Sequence, residues 1–282
     1  MSVLAHPMAA TVRSLAHPST DPPALVARVR AALGWEGSEF LVGLRGHGEM
    51  MATLDVATDL DGLIRCGDVA SPPLRLLRAL DGSSAGLRLT RVVLIAPPWR
   101  WVRPPGVTQE TGVAVRRRAF RDVEEALERS GAGFRVLPDD TPTEELLELG
   151  RQLGSAVVDV DEVPDGAVAV PGYLEDAPAL SYGLLTRADD DALPAGGAAV
   201  WLSMAAREES AGTLMAALEQ VSALDVDLEF LHSDPQGDGR HHFFVGFRTD
   251  ADTLDALRAG LGGAGFTTRV LAAFEPPAPP SA

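Results

Sequence analysis

The sequence predicts an α/β protein that ends in a ferredoxin-like βαββαβ module. Two patterns carry this expectation. From Ala198 to Glu275 the apolar residues change period in the order strand, helix, strand, strand, helix, strand. From Leu87 to Val170 strand-like and helix-like stretches alternate, as in βαβ units on a parallel or mixed sheet.

Each element of the module has its own signal. Ala199 to Met204 is an unbroken apolar run, a buried strand. Leu214, Met215, Leu218, Val221 and Leu224 fall at helical spacing, and Val226, Leu228 and Phe230 alternate with polar residues as on a half-buried strand. Ser233 to Arg240 is a turn rich in Asp and Gly, and His241 to Phe247 is a further strand. Leu254, Leu257 and Leu261 make a second helical stripe, stopped by Gly262, Gly263 and Gly265 before a closing strand from Phe266 to Phe274. The order predicts a four-stranded antiparallel sheet with two helices on one face.

Upstream, residues 1–22 carry Leu-Ala-His-Pro twice, at Leu4 to Pro7 and Leu15 to Pro18, and read as a surface arm; His6 and His17 read as tail residues or a weak metal pair. Pro22-Pro23 opens a helix with Leu25, Val26, Val29 and Leu33 on one face and Gly34 as its stop. Phe40 to Leu44 is a short strand that runs into a glycine-rich turn from Arg45 to Met51, a place suited to holding an anion. Within it, His47 and Glu49 read as an acid/base pair, part of a metal site, or an ordinary turn. Leu74 to Leu80 is helical and Val92 to Ile95 is a β-branched core strand. Trp99 and Trp101 flank Arg100, which suits either a binding wall or packing between lobes. Val115 to Arg129 reads as a helix whose Arg116-Arg117-Arg118 cluster either meets a carboxylate or is a solvated helix end. Phe134 to Leu137 is a strand, Thr143 to Leu153 a helix with Glu144 and Glu145 in its first turn, and Ala156 to Val160 and Ala167 to Val170 are strands. Pro276 to Ala282 is a proline-rich tail without a predicted fold.

Composition excludes several classes of function. The net charge of -16 argues against nucleic acid and anionic membrane as partners. The single cysteine, Cys66, cannot form an internal disulfide or a cysteine metal cluster; it fits a cytoplasmic location and reads as a small buried hydrophobe. The chain contains no lysine, which removes Schiff-base chemistry, lysine-anchored pyridoxal phosphate and a Walker phosphate loop. No stretch reaches about 18 apolar residues, and no signal peptide is expected.

The module resembles the ACT domain that ends prephenate dehydratases, with Gly212-Thr213-Leu214 at the family's Gly-Ala-Leu and His232-Ser233-Asp234-Pro235 at its Glu-Ser-Arg-Pro. The resemblance implies an aromatic amino-acid effector held by Gly212, Thr213, Leu214, His232, Ser233 and Asp234, and a homodimer. Upstream it implies a two-lobed, periplasmic-binding-protein-like α/β domain with a first lobe shortened by roughly 30 residues. Leu44 and Gly48 fall in register with the family's first strand and its Gly-Pro-x-Gly-Thr-Phe-Ser loop, where His47 and Glu49 replace the usual Glu and Thr; Pro97-Pro98 stand for its paired histidines. Ser181-Tyr182-Gly183 matches the family's Thr-Arg-Phe, and the other phase, Thr186-Arg187, runs into Asp189-Asp190-Asp191.

Domain limits follow as an arm and helix over 1–38, an α/β domain over 39–192, the ACT domain over 196–275 and a tail over 276–282. The resemblance implies a lyase, without cofactor or metal, acting on prephenate or a related cyclohexadienyl 2-oxo acid, in aromatic amino-acid or specialised metabolism. Ser181 and Tyr182 would act with the His47–Glu49 loop, and Arg45, Gly48, Arg100 and Arg187 would bind the substrate carboxylates. The alternative is an ACT sensor or partner protein that has lost the chemistry. A basic side chain converging on Ser181 separates the two readings, because the substrate dianion needs a counter-charge.

Overall fold

The structure, a computed structural model, describes residues 13–35, 40–108, 111–172, 174, 177–187, 193–194, 197–208, 210, 212–237 and 240–278. Leu4 to Pro7, His6, Asp189 to Asp191 and the end of the proline-rich tail lie outside these residues. Among the described residues no helix is long and apolar enough to cross a membrane. Two compact units divide the chain, one from the described parts of Met1–Asp21, Val29–Val93 and Ser181–Pro279, the other from Pro22–Arg28 and Leu94–Leu180 with the chain end.

The first unit is built on a nine-stranded sheet. In chain order it contributes β1 (Ser14–Pro18), α1 (Pro23–Leu33, which begins in the second unit), β2 (Leu41–Leu44), α2 (Gly46–Val56), β3 (Leu60–Arg65), α3 (Leu74–Asp81) and β4 (Leu87–Ile95, which ends in the second unit). The segment expected as an arm is therefore the central strand of a parallel trio: β1 pairs with β2 on one side and β3 on the other. Leu15 and Ala16 are fully buried, so the second Leu-Ala-His-Pro repeat is core, and Pro18 ends the strand rather than loosening it. With β1 counted, this lobe gains a strand that a reading from Phe40 onward leaves out. Leu41 to Leu44 sits at the sheet edge with Leu41 and Val42 exposed and Leu44 buried. The glycine-rich turn from Arg45 is the first turn of α2, with Arg45 as N-cap.

The rest of this unit follows the second. Strand β10 (Leu180–Arg187) returns antiparallel to β3, and β11 (Ala198–Ala206), α6 (Thr213–Ala223), β12 (Leu228–Pro235), β13 (His241–Thr249), α7 (Ala251–Gly263) and β14 (Phe266–Phe274) form the expected βαββαβ module. Its strand order, β12-β13-β11-β14, is that of a ferredoxin-like sheet and continues through β14 into β4. Alternation along β11 gives that sheet two apolar faces. Val200, Leu202 and Met204 pack with Val221 of α6 and with Leu254, Leu257 and Leu261 of α7. Ala199 and Trp201 join Phe230 and Phe274 on the other face, against Leu76, Leu77 and Leu80 of α3.

The second unit holds β5 (Trp99–Arg103), β6 (Gly112–Arg116), α4 (Arg117–Ser130), β7 (Gly133–Leu137), α5 (Thr143–Leu153), β8 (Gly154–Asp159) and β9 (Val168–Ala169), with sheet order β7-β6-β8-β5-β9. Strands β6, β7 and β8 are parallel and β5 runs against β8. Val113 and Val115 lie on the face under α4, Ala114 on the face under α5. Val115 is thus a strand residue, and the helix expected from that position begins two residues later. Arg116 is no solvated helix end: it is buried, and its guanidinium reaches the Thr141 carbonyl, Thr143 Oγ1 and Glu162 Oε2. Trp99 and Trp101 belong to the core under α4, with their indole N–H groups on Asp122 and Ser155. They pack inside one unit and form no binding wall.

Replacing Leu15 by Ala tests the placement of β1. Deleting a fully buried leucine side chain is expected to cost about 2–5 kcal/mol, read as a lowered urea midpoint, whereas a residue in a surface arm would leave the midpoint unchanged.

Candidate functional site

In open α/β sheets ligands gather outside the carboxyl ends of parallel strands. In the first unit this rim carries Asp21 after β1, Arg45 and the start of α2 after β2, and Arg65 at the end of β3. Strand β10 enters at the same end, and its register places Tyr182 directly opposite Arg65.

Asp21, Arg65 and Tyr182 form one hydrogen-bonded network. Arg65 Nε donates to the Tyr182 hydroxyl at 2.7 Å, and that hydroxyl donates to Asp21 Oδ2 at 2.8 Å. Arg65 Nη2 pairs with Asp21 Oδ1 at 3.0 Å, and the guanidinium carbon stands 5.4 Å from the centre of the Tyr182 ring. Asp21 and Tyr182 are shut from solvent, whereas the Arg65 side chain keeps 28% of its exposure. Burial pushes the Tyr182 phenol well above its ordinary range; the Asp21 charge adds to the rise and Arg65 opposes it. Tyr182 is therefore a neutral hydroxyl at physiological pH.

Ser181 and Tyr182 do not face one ligand together. Neighbouring strand residues point to opposite faces, and with Tyr182 turned to Asp21, Ser181 lies on the other side. Ser181 is half-buried, and its carbonyl accepts the Cys66 N–H at 2.9 Å. Gly183 is required by close packing: a Cβ there would stand 2.2 Å from Leu89 Cδ1 and 2.7 Å from Cys66 Sγ. Cys66 itself is fully buried, and burial pushes its thiol far up, which fits the small hydrophobe expected of it.

The other expected site residues are spread over different tasks. Glu49 accepts the Arg45 backbone N–H at the start of α2, and Gly48 is exposed on the same turn. His47 is half-buried in that first turn, and burial, with the nearby Arg75 charge, lowers its pKa. His47 and Glu49 thus belong to a helix start rather than a closing loop. Arg187 donates to the Ala57 carbonyl at 2.6 Å and to that of Leu54, capping the other end of α2. Its phase partner Thr186 meets Thr90 Oγ1 at 3.3 Å, so the Thr186-Arg187 pair is engaged in the scaffold. Arg100, in the second unit, is exposed and donates to its neighbour's carbonyl on Trp99.

In the module, Gly212 takes φ +92 as the N-cap of α6, a conformation that favours glycine, and Thr213 Oγ1 donates to the Ser210 carbonyl. Leu214 packs against the module core, and Ser233 is exposed on β12. The His232 ring lies 5.4 Å from that of Phe230. Asp234 is buried and accepts from Arg78 Nε at 2.7 Å and from Arg78 Nη2. The charge change at this position therefore serves a contact with α3.

Reasoning from the sequence missed Asp21, Arg65 and Arg78. Asp21 stands just ahead of the helix-opening Pro22-Pro23, within the stretch read as an arm, and no spacing links Arg65 to Tyr182 across 117 positions. Among the described residues no three His, Cys, Asp or Glu side chains gather as a metal set.

No family model matches the sequence, and no curated protein matches it. Solved structures do match its fold. The prephenate dehydratase of Staphylococcus aureus superposes with a TM-score of 0.68 over 93% of this chain and 100% of its own, at 12% identity. That of Arthrobacter aurescens, solved in complex with L-Phe, gives 0.65 over 92% and 90%, at 18% identity. A protein described as a novel type of quorum-quenching acylase gives 0.62 over 95% and 99%, also at 18% identity. The chain thus has the prephenate dehydratase fold over most of its length, at low sequence identity.

Replacing Tyr182 by Phe leaves the Asp21 carboxylate short of a donor, with an expected loss of about 1–3 kcal/mol in urea unfolding. The pH dependence has a definite sign. A phenol whose pKa is raised in the folded state stabilises the fold below the unfolded value, and that stability is lost as pH rises above about 10. The wild-type midpoint should fall over that range, and the fall should be smaller in Tyr182→Phe.

Proposed function

We propose that this chain is a lyase of the prephenate dehydratase type, acting on prephenate or a related cyclohexadienyl 2-oxo acid. The observation that supports this most is the cross-strand pair of Tyr182 and Arg65. The family's Thr-Arg-Phe carries its hydroxyl and guanidinium on adjacent residues. Here the guanidinium belongs to Arg65 on the neighbouring strand, still at the carboxyl rim and partly open to solvent. In this reading Arg65 clamps a substrate carboxylate and Asp21 and Tyr182 orient Arg65, while Ser181, on the opposite face of β10, stands outside this constellation. His47, uncharged at neutral pH, lies at the helix start on the same rim and serves the substrate as a neutral polar group. The reaction is driven by aromatisation and uses no cofactor.

The accompanying domain reading places the catalytic domain from β1 to about residue 192 and an ACT domain over 196–275, which binds an aromatic amino acid and pairs two copies of the chain. L-Phe in the Arthrobacter aurescens structure supports that class of effector. One observation favours the second reading, a sensor without turnover: Asp21 already neutralises Arg65, and Tyr182 is closed to solvent.

Prephenate loss at neutral pH, with product analysis and with or without phenylalanine or tyrosine, separates the two. Protein-dependent phenylpyruvate is expected. Arg65→Lys keeps the charge but loses the planar fork, and should lower kcat/KM about 10- to 150-fold, the equivalent of about 1.5–3 kcal/mol. Absence of any prephenate loss at high protein concentration would sink the lyase reading in favour of the sensor.

A further inference from the structure

We propose that the Arg78–Asp234 pair is a latch through which the ferredoxin-like module sets the position of Arg65. This rests on the reading of Arg65 as the carboxylate clamp and adds the regulation of that site.

Helix α3 is held by all three strands β12, β13 and β14. On β12, the buried Asp234 takes two donors from Arg78 and a third from Gln236 Nε2 at 3.3 Å. The Arg78 guanidinium keeps the Asp234 carboxyl below the usual carboxylate range, so the pair stays charged across neutral pH. On β13, His242 Nδ1 meets Asp81 Oδ2 at 3.1 Å. On β14, Arg269 Nη1 donates to the Asp81 carbonyl at 2.5 Å. Arg78 and Asp81 are three residues apart and share one helix face, directly beside the apolar contacts of Leu77 and Leu80.

The other end of α3 is tied to the site. Pro73 is the N-cap, and its carbonyl accepts the Leu76 N–H at 2.8 Å. Gly67, two residues past Arg65, has φ +72 and lies so close to the Pro73 ring that a Cβ would stand 3.1 Å from Pro73 Cγ and Cδ. The link between them is stiffened by Pro72-Pro73 and closed on itself by Asp68, whose carboxylate accepts the Ala70 N–H and whose carbonyl accepts the Ser71 N–H. A shift of α3 is therefore passed to the end of β3, where the Cys66 N–H on the Ser181 carbonyl leaves little slack before Arg65.

Asp234→Asn and Arg78→Gln test the latch in the full-length protein. Hydrogen exchange over residues 66–73 is expected to rise about tenfold or more in each, with the second unit unchanged. The KM for prephenate should rise about fivefold or more with kcat nearly constant, and the double variant should be no worse than either single one. Arg78→Gln, at a largely exposed side chain, serves if Asp234→Asn does not fold. Unchanged exchange over 66–73 in both variants overturns the latch, and raised exchange with unchanged KM overturns its link to Arg65. If the wild type consumes no prephenate while exchange rises in both variants, the mechanical link stands and the lyase reading fails instead.

Discussion

A four-stranded sheet with apolar side chains on both faces has to be covered twice, and that constraint shapes the first unit. The module's own helices, α6 and α7, cover one face of β11. The other face, with Trp201, Phe230 and Phe274, is covered by α3, a helix nearly 120 residues earlier in the chain. Leu76, Leu77 and Leu80 are fully buried there, each worth about 1.5–3 kcal/mol of transfer. Strand pairing contributes less to this join, since β14 and β4 share a single registered pair, Ala272 with Leu89. Apolar packing under α3 is what makes the module part of a compact unit, and the polar seam of Arg78, Asp81, Asp234 and His242 fixes its register.

At the rim of the same sheet a buried carboxylate plays the comparable organising part. Asp21 costs free energy to bury, and Arg65 and Tyr182 together offset that cost. Its effect is to hold a guanidinium at the carboxyl end of parallel strands, with one side anchored and part of its surface open. The scaffold itself leaves the chemistry open, since its structural neighbours include both prephenate dehydratases and a protein described as a quorum-quenching acylase. In this chain a hydroxyl and a guanidinium meet from two antiparallel strands, Tyr182 of β10 and Arg65 of β3.

Much of the fold is legible in the residues because periodicity is a local property. The stripe of Leu254, Leu257 and Leu261 and the run from Ala199 to Met204 can each be read without knowing their partners, and helix α5 spans the stretch expected of it. The misreadings share a cause as well. Ser14 to Pro18 is too short and too rich in proline and histidine to show a strand's alternation, and only pairing on both sides makes it a strand. Val115 sits where strand passes directly into helix, so one apolar run serves two periods.

The sequence alone determined the class of the protein: an acidic, lysine-free α/β chain closing in a βαββαβ module, with a hydroxyl-bearing stretch at Ser181-Tyr182. The tertiary structure decided which charges meet. It gave Arg187 to the end of α2, Arg116 to a buried cluster, Asp234 to Arg78 and Arg65 to Tyr182. An ion pair between residues more than a hundred positions apart leaves no periodic trace, because it depends on strand register and on which face each side chain takes. Register and facing exist only once the sheets are assembled.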